Sequence, residues 1–372
     1  MKMRLIFPAL LLLTALRLAA AQYHVDPARG DDAASGSQEA PFRTIRRALA
    51  AADGPGGTIH LSAKAGPYRE AIVIRKGGSE ETPLVIEGHG AVVHLGTDVT
   101  AGPWTPLETG EYRLETPVPR HERPYVTSPL FINGLPVWAE HPKGKGRPAW
   151  HGGSLRQDGE NRFIVRFPKG LTPANSVIVR TGPDNQCVLH SSGASHLLVR
   201  DLTVAFAGND GFNFHNHSRD VVLENVTAIF NGDQGISSHE TCEVVVRESE
   251  IAFNGSQSAG VTDINQAVTT YQRCDVHQNR NGGFSLSGAR HLLEEVRSHG
   301  HPGSNLPKPS DTVTLIDCHD EGTRPEDLEV PTGLTPPAPS TSATSATSAT
   351  QPAGRNDRPG RFLQLRPASI IP

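Results

Sequence analysis

The sequence predicts an all-β fold, a parallel β-helix with an N-terminal capping helix and a small inserted β domain. Three observations predict it. Between Ser195 and Asp320 four segments line up: DLTVAFAGNDGFNFHNH, NVTAIFNGDQGISSHET, ESEIAFNGSQSAGVTDIN and RCDVHQNRNGGFSLSGA. Their marker glycines, Gly211, Gly235, Gly260 and Gly283, stand 24, 25 and 23 residues apart, a period that signals stacked units sharing one core. Each unit alternates apolar with polar residues, favours β-branched types and breaks at Asn-Gly-like pairs, so the units read as strands.

In chain order, residues 1–21 have the form of a signal peptide. Lys2 and Arg4 precede an apolar run to Leu18, and Ala19-Ala20-Ala21 offers a small-residue cleavage site before Gln22. The run is short for a membrane anchor, and no other stretch is long and apolar enough to span a bilayer. Export to a periplasm, a cell surface or the medium is expected. Residues 22–100 then supply a cap and the first turns. Pro41 suits a helix start, and Phe42, Ile45, Ala48, Leu49 and Ala52 make one apolar face. Such a helix covers the open end of a β-helix, whose unpaired edge would otherwise invite association. Thr58–Leu61, Ala71–Ile74 and Leu84–Glu87 read as the first strands, with Tyr68-Arg69-Glu70 in a structural bend.

This stretch, YHVDPARGDDAASGSQEAPFRTIRRALAAADGPGGTIHLSAKAGPYREAIVI and then GGSEETPLVIEGHG, resembles the N-terminal signature of secreted right-handed parallel β-helix proteins of the pectate-lyase-like superfamily. The resemblance implies a right-handed coil and a polysaccharide lyase or glycoside hydrolase activity. Residues 101–175 interrupt the repeat. They hold all three tryptophans, and Ile132-Asn133-Gly134-Leu135 is a hairpin signal. The LFINGLPVW strand pair resembles the β-sandwich-like insertion of family 120 glycoside hydrolases. Its aromatics are either a sugar-stacking platform or the core of a small domain.

Residues 176–322 carry the repeating turns. Leu202, Val226, Ser249, Cys274, Val296 and Ile316 form one inward column, and Val204, Ala228, Ile251, Val276, Ser298 and Cys318 a second. Phe212, Ile236, Val261 and Phe284 form a third. Asn231, Asn254 and Asn279 recur at a bend, where they can bond local backbone and tolerate a left-handed conformation. Residues 323–372 are a Pro/Ser/Thr/Ala-rich tail that cannot bury enough apolar surface to offset the cost of ordering.

Composition narrows the partners. A formal charge of -4 and no concentrated basic surface argue against nucleic acid. The expected partner is a polysaccharide or oligosaccharide, met by a monomer. Cys187, Cys242, Cys274 and Cys318 lack metal-type spacing and read as small buried hydrophobes rather than bridges.

The chemistry concentrates on one outward strand face. Asn213, His215, Asn216 and His217 fall on one turn, Ser237, His239 and Glu240 on the next, and Thr262, Asp263 and Asn265 on the third. Turns stack about 4.8 Å apart, so His215 and His239 should nearly touch. Glu240 and Asp263 are the candidate pair of a retaining glycosidase, whose carboxyls stand about 5–5.5 Å apart. His239 and His215 are the candidate proton carriers, and Asn213, Asn216, His217, Ser237, Thr262 and Asn265 the candidate substrate-binding groups. Strict register puts Asp263 in the inward column of Phe214, Ser238 and Leu286; the extra residue before Gly260 permits a slip that turns it outward. The bland alternative is a solvated polar face. No cofactor or metal is expected. Asn209, Asp210, Asp233 and Gln234 offer oxygens for Ca²⁺ but fall short of the usual six to eight. His299, His301 and His319 read as loop histidines. From Leu171 to Pro307 there is no lysine, and arginine is a poor base. A lyase would therefore rely on a histidine, or on an arginine despite its pKa. The remaining alternative is a non-catalytic binding surface.

Overall fold

The computed structural model describes residues 20–115, 129–138, 152–159, 162–183, 185–255 and 258–323. Nearly all of the proposed leader, Trp150 and the tail from residue 324 lie outside the described residues. Among those described, no helix is long and apolar enough to cross a membrane.

The repeat becomes a parallel β-solenoid. Strand pairs Val221–Glu224 and Thr227–Ile229, Glu243–Arg247 and Glu250–Ala252, Val268–Gln272 and Asp275–His277, and Arg290–Glu294 and Arg297–His299 stack in register in one 14-stranded sheet. A second sheet of six strands stacks Ile72–Ile74, Leu189–Ser192, Phe212–His215, Ile236–Ser238, Val261–Asp263 and Phe284–Leu286. The marker-glycine columns hold: Phe212 pairs with Ile236, Ile236 with Val261, and Val261 with Phe284, all buried. Only the last turn departs from the expected columns. Ile316 pairs with Glu294 and is 43% exposed, so Cys318 takes the place beside Val296. The loop before Val313 contains no strand of the six-stranded sheet, so counting from a marker glycine loses register there.

Corners are made by left-handed residues. Asp201, Asn225, Glu248, Arg273, Glu295 and Asp317 repeat at one corner, and Phe206, Phe230, Phe253 and Gln278 at another. The asparagine ladder follows this second corner rather than forming it, a correction to its expected role. Each amide turns inward and bonds the next: Asn231 Nδ2 donates to Asn254 Oδ1 at 2.9 Å, and Asn254 Nδ2 to Asn279 Oδ1 at 3.0 Å. The same oxygens accept the backbone N–H one turn back, at 3.1 and 2.9 Å. Buried amides thereby find all their partners within the stack.

The helix Ile45–Ala52 buries Ile45, Ala48, Leu49 and Ala52 against the first strands. It starts at an N-cap Thr44, not at Pro41. Thr44 Oγ1 accepts from Arg47 N, and Glu70 accepts from Ile45 N at 2.8 Å and Arg46 N at 3.1 Å. A carboxylate on the first free N–H groups is the favourable helix-end arrangement. It gives Glu70 of the Tyr68-Arg69-Glu70 bend a structural task.

The insertion forms two four-stranded antiparallel sheets, and Thr97–Asp98 and Ile178–Arg180 share one of them. Asn133 and Gly134 make the expected hairpin, both at positive φ (50° and 80°). Trp104 packs edge-on to Phe167 inside the insertion. Trp138 and Phe131 pack edge to face and join an outward phenylalanine ladder, Phe206 and Phe230, on the solenoid. The described tryptophans are therefore packing residues. Gly255 lets the solenoid approach: a Cβ there would lie 2.3 Å from Trp138. All four cysteines are free thiols.

Candidate active site

The six-stranded sheet positions the site. Its register aligns His190, Asn213, Ser237 and Thr262 in one outward column. At the strand ends, His215 and His239 stack with ring centroids 4.2 Å apart and planes 15° from parallel. Glu240 closes the group. Its Oε2 accepts from Asn216 N at 2.8 Å and lies 3.1 Å from His215 Nδ1. Glu240 occupies the corner column of Gly193, Asn216 and Asn265, with φ 45°. Asn265 Oδ1 holds its backbone N–H at 3.1 Å. Partial burial works to raise the Glu240 pKa, but the Asn216 N–H and the neighbouring His215 outweigh it and hold the carboxyl below its ordinary value. Burial lowers the pKa of His239, helped by His215 and opposed by Glu240. The carboxyl thus ionises more readily, and the His239 ring takes up a proton less readily, than the free groups. Asn216 and His217 are exposed, bonding Ser192 Oγ and Thr241 Oγ1.

Asp263 does not join them. Strict register prevails: Ser238 pairs with Asp263, whose side chain points into the solenoid and is fully buried. Its Oδ2 accepts from Thr269 Oγ1 and Tyr271 OH, both at 2.9 Å, while Oδ1 has no hydrogen-bond partner. The extra residue before Gly260 is absorbed in the preceding bend. Glu240 and Asp263 are therefore not two carboxyls on one outward face. Burial pushes the Asp263 pKa up to about 6, against the pull of Tyr271, Thr269 and the neighbouring Ser238. A carboxyl whose folded pKa is raised binds its proton more tightly folded than unfolded. Stability should then fall as pH rises from about 4 to about 6, by up to about 3 kcal/mol. Asp263→Asn is expected to remove this slope and raise the melting temperature at pH 7, as read by denaturation across pH 4–7.

The middle of the band is less exposed than alternation implies. Asn213 and Ser237, expected on the solvent face, are buried. Asp210 folds over them from the bend before the marker glycine. Its Oδ2 accepts from Asn213 Nδ2 at 2.6 Å and Ser237 Oγ at 2.7 Å, and its Oδ1 from Gln234 N at 3.0 Å. Asn213 Oδ1 in turn meets His190 Nδ1 at 2.8 Å. Burial, reinforced by the negative charge of Asp233 one turn on, raises the Asp210 pKa. Asp233 is the partly exposed member, with Gln234 Nε2 donating to its Oδ1 at 2.8 Å. Arg280 lies over the Trp138 ring at 5.3 Å; burial lowers its pKa to about 10 while Asp233 supports its charge. The bend, read from sequence as an oxygen set for Ca²⁺, thus fills the Asp210 oxygens with N–H and O–H donors. The signal for its other character was the recurrence of Asp210 and Asp233 ahead of successive marker glycines.

The three late histidines disperse. His301 is buried and ends the asparagine ladder, accepting from Asn279 N at 3.0 Å. His299 stacks on His277 at 5.0 Å, and His319 is exposed.

Residues 28–94 match a family model described as a protein of unknown function, DUF1565. No curated protein matches the sequence. Among solved structures, XylC in complex with xylose is similar over 81% of this chain and 64% of its own, at 14% identity and a TM-score of 0.50. Pectate lyase Pel9A is similar over 79% of this chain and 57% of its own, at 14% identity and a TM-score of 0.44. The chain thus spans less than two thirds of either. The stacked turns and the likeness to XylC define a parallel β-helix fold.

Proposed function

We propose that the protein is an exported carbohydrate-active enzyme that hydrolyses glycosidic bonds of a polysaccharide or oligosaccharide at the Asp210–Asp233 bend. The observation that carries this reading is a buried carboxyl of raised pKa beside a second, partly exposed carboxyl one turn away. The negative charge of Asp233 keeps a proton on Asp210 to higher pH than an ordinary carboxyl holds it, so the two carboxyls together can carry one proton. Hydrolysis needs a proton on the leaving oxygen and a carboxylate to activate water or attack the anomeric carbon. The pair supplies both: the glycosidic C–O bond breaks, the leaving oxygen takes the shared proton, and water returns one. Asp233 meets the substrate, with Asp210 behind it fixed by Asn213 and Ser237. His190, His215, His239 and Glu240 extend a polar band suited to sugar hydroxyls. The fold shared with XylC, whose solved structure holds xylose, supports a sugar ligand.

A His239 ring whose pKa is lowered by burial, stacked on His215 beside Glu240, favours a second reading, proton abstraction by a histidine in a lyase. Incubation with pectin, xylan and alginate separates the two. Hydrolysis releases reducing ends without the ultraviolet absorbance of an unsaturated uronate; elimination produces both. Absence of products from every polymer would count against both readings and favour a binding surface.

A further inference from the structure

We propose that His215, His239 and Glu240 form a binding site for a divalent transition metal ion of the zinc class. Each residue offers one ligand atom, and these atoms lie within 4.8 Å of one another. Zinc binds imidazole nitrogen and carboxylate oxygen at about 2.0–2.2 Å, so neighbouring ligands around it sit about 3.3 Å apart. The His215 Nδ1 to Glu240 Oε2 separation, 3.1 Å, already meets that spacing. The third ligand atom, on His239, lies within 4.8 Å of the other two. Two imidazoles and one carboxylate suit zinc, cobalt or nickel rather than calcium, which takes oxygen alone. Three protein ligands on a partly exposed face leave a fourth position for water or a sugar oxygen.

The surroundings hold the ligands as a metal site requires. Asn216 N–H donates to Glu240 Oε2, the oxygen that also faces His215 Nδ1, and so orients the carboxylate toward the two rings. Glu240 sits in a left-handed corner where other turns place Gly193, Asn216 and Asn265. A glutamate tolerates that conformation less readily than glycine or asparagine, and Asn265 pins its backbone. The ring of His239 makes no hydrogen bond among the described residues and is free to ligate. His217 on the same face bonds Thr241 instead and stands outside the ligand set. The proposal is independent of the Asp210–Asp233 reading.

The test is a calorimetric titration of the metal-stripped full chain with Zn²⁺, paired with the visible spectrum of the same protein with Co²⁺. One equivalent of Zn²⁺ should bind, and Co²⁺ should give the absorption of a low-coordinate nitrogen and oxygen site. Loss of a second-layer contact alone weakens such sites about 10–100-fold, so His239→Ala and Glu240→Gln should each lose at least about 100-fold. His217→Ala should bind as wild type, and so should His60→Ala, in the separate His24–His60–His89 ring stack on the first turns. Melting curves without metal establish that each variant is folded. The proposal is overturned if folded wild-type protein takes up no equivalent of Zn²⁺ and gives no Co²⁺ band. It is also overturned if Glu240→Gln and His239→Ala bind like wild type, or if His60→Ala abolishes binding.

Discussion

Asp233→Asn is expected to lower the hydrolytic kcat by about 10²–10⁴-fold, the range a positioned general acid or base contributes. The substitution keeps an acceptor for Gln234 Nε2, which now bonds Asp233 Oδ1, so the bend should stay folded. It also removes the charge that helps raise the Asp210 pKa. The alkaline limb of the rate profile, where the pair loses its shared proton, should move to lower pH or vanish. Asp210→Asn is a less clean variant. Asp210 Oδ2 accepts two donors, Asn213 Nδ2 and Ser237 Oγ, and an amide nitrogen there would face them as a third donor. Glu240→Gln should change kcat less than tenfold, because Gln still offers an oxygen to Asn216 N–H. Measured kcat and KM for the variants, beside their melting curves, check this ordering.

Asn254→Ala is expected to be the most damaging conservative-sized change in the solenoid. Asn254 Oδ1 accepts from Asn231 N and Nδ2, and its Nδ2 donates to Ala228 O and Asn279 Oδ1. Truncation leaves those four partners short of a bond in a dry interior. An orphaned buried group costs about 1–3 kcal/mol, and neighbours relax in part, so the loss should be about 4 kcal/mol. Thermal denaturation should show a fall of about 10 °C. By contrast, Asn225→Ala at an exposed corner, where Asn225 Nδ2 meets Asp201 Oδ1, should cost far less.

The residues that were legible in the sequence are those governed by period alone. Spacing between marker glycines placed Phe212, Ile236, Val261 and Phe284 in one column and put His215 against His239. Alternation could not say what lies over an outward side chain. Asn213 and Ser237 point away from the core as expected, yet Asp210 closes over them from a bend whose path no periodicity encodes. Asp263 shows the same limit: one inserted residue permits either a slipped strand or a longer bend, the period is silent between them, and the structure keeps the strict register. The docking of the insertion had a signal in the recurring Ala205-Phe206, Ile229-Phe230 and Ala252-Phe253 pairs. Large aromatics at positive φ are unusual. Here stacking between Phe206 and Phe230 at 5.3 Å, and contact with Phe131, offset that cost.

The central claim is tested most directly by a crystal structure of the Asp233→Asn protein with an oligosaccharide from whichever polymer the wild type cleaves. The sugar should lie across the six-stranded sheet, with its glycosidic oxygen within hydrogen-bond reach of residue 233. A sugar whose scissile bond lies instead at Glu240, or in the pocket lined by His24, His60 and His89, would contradict it.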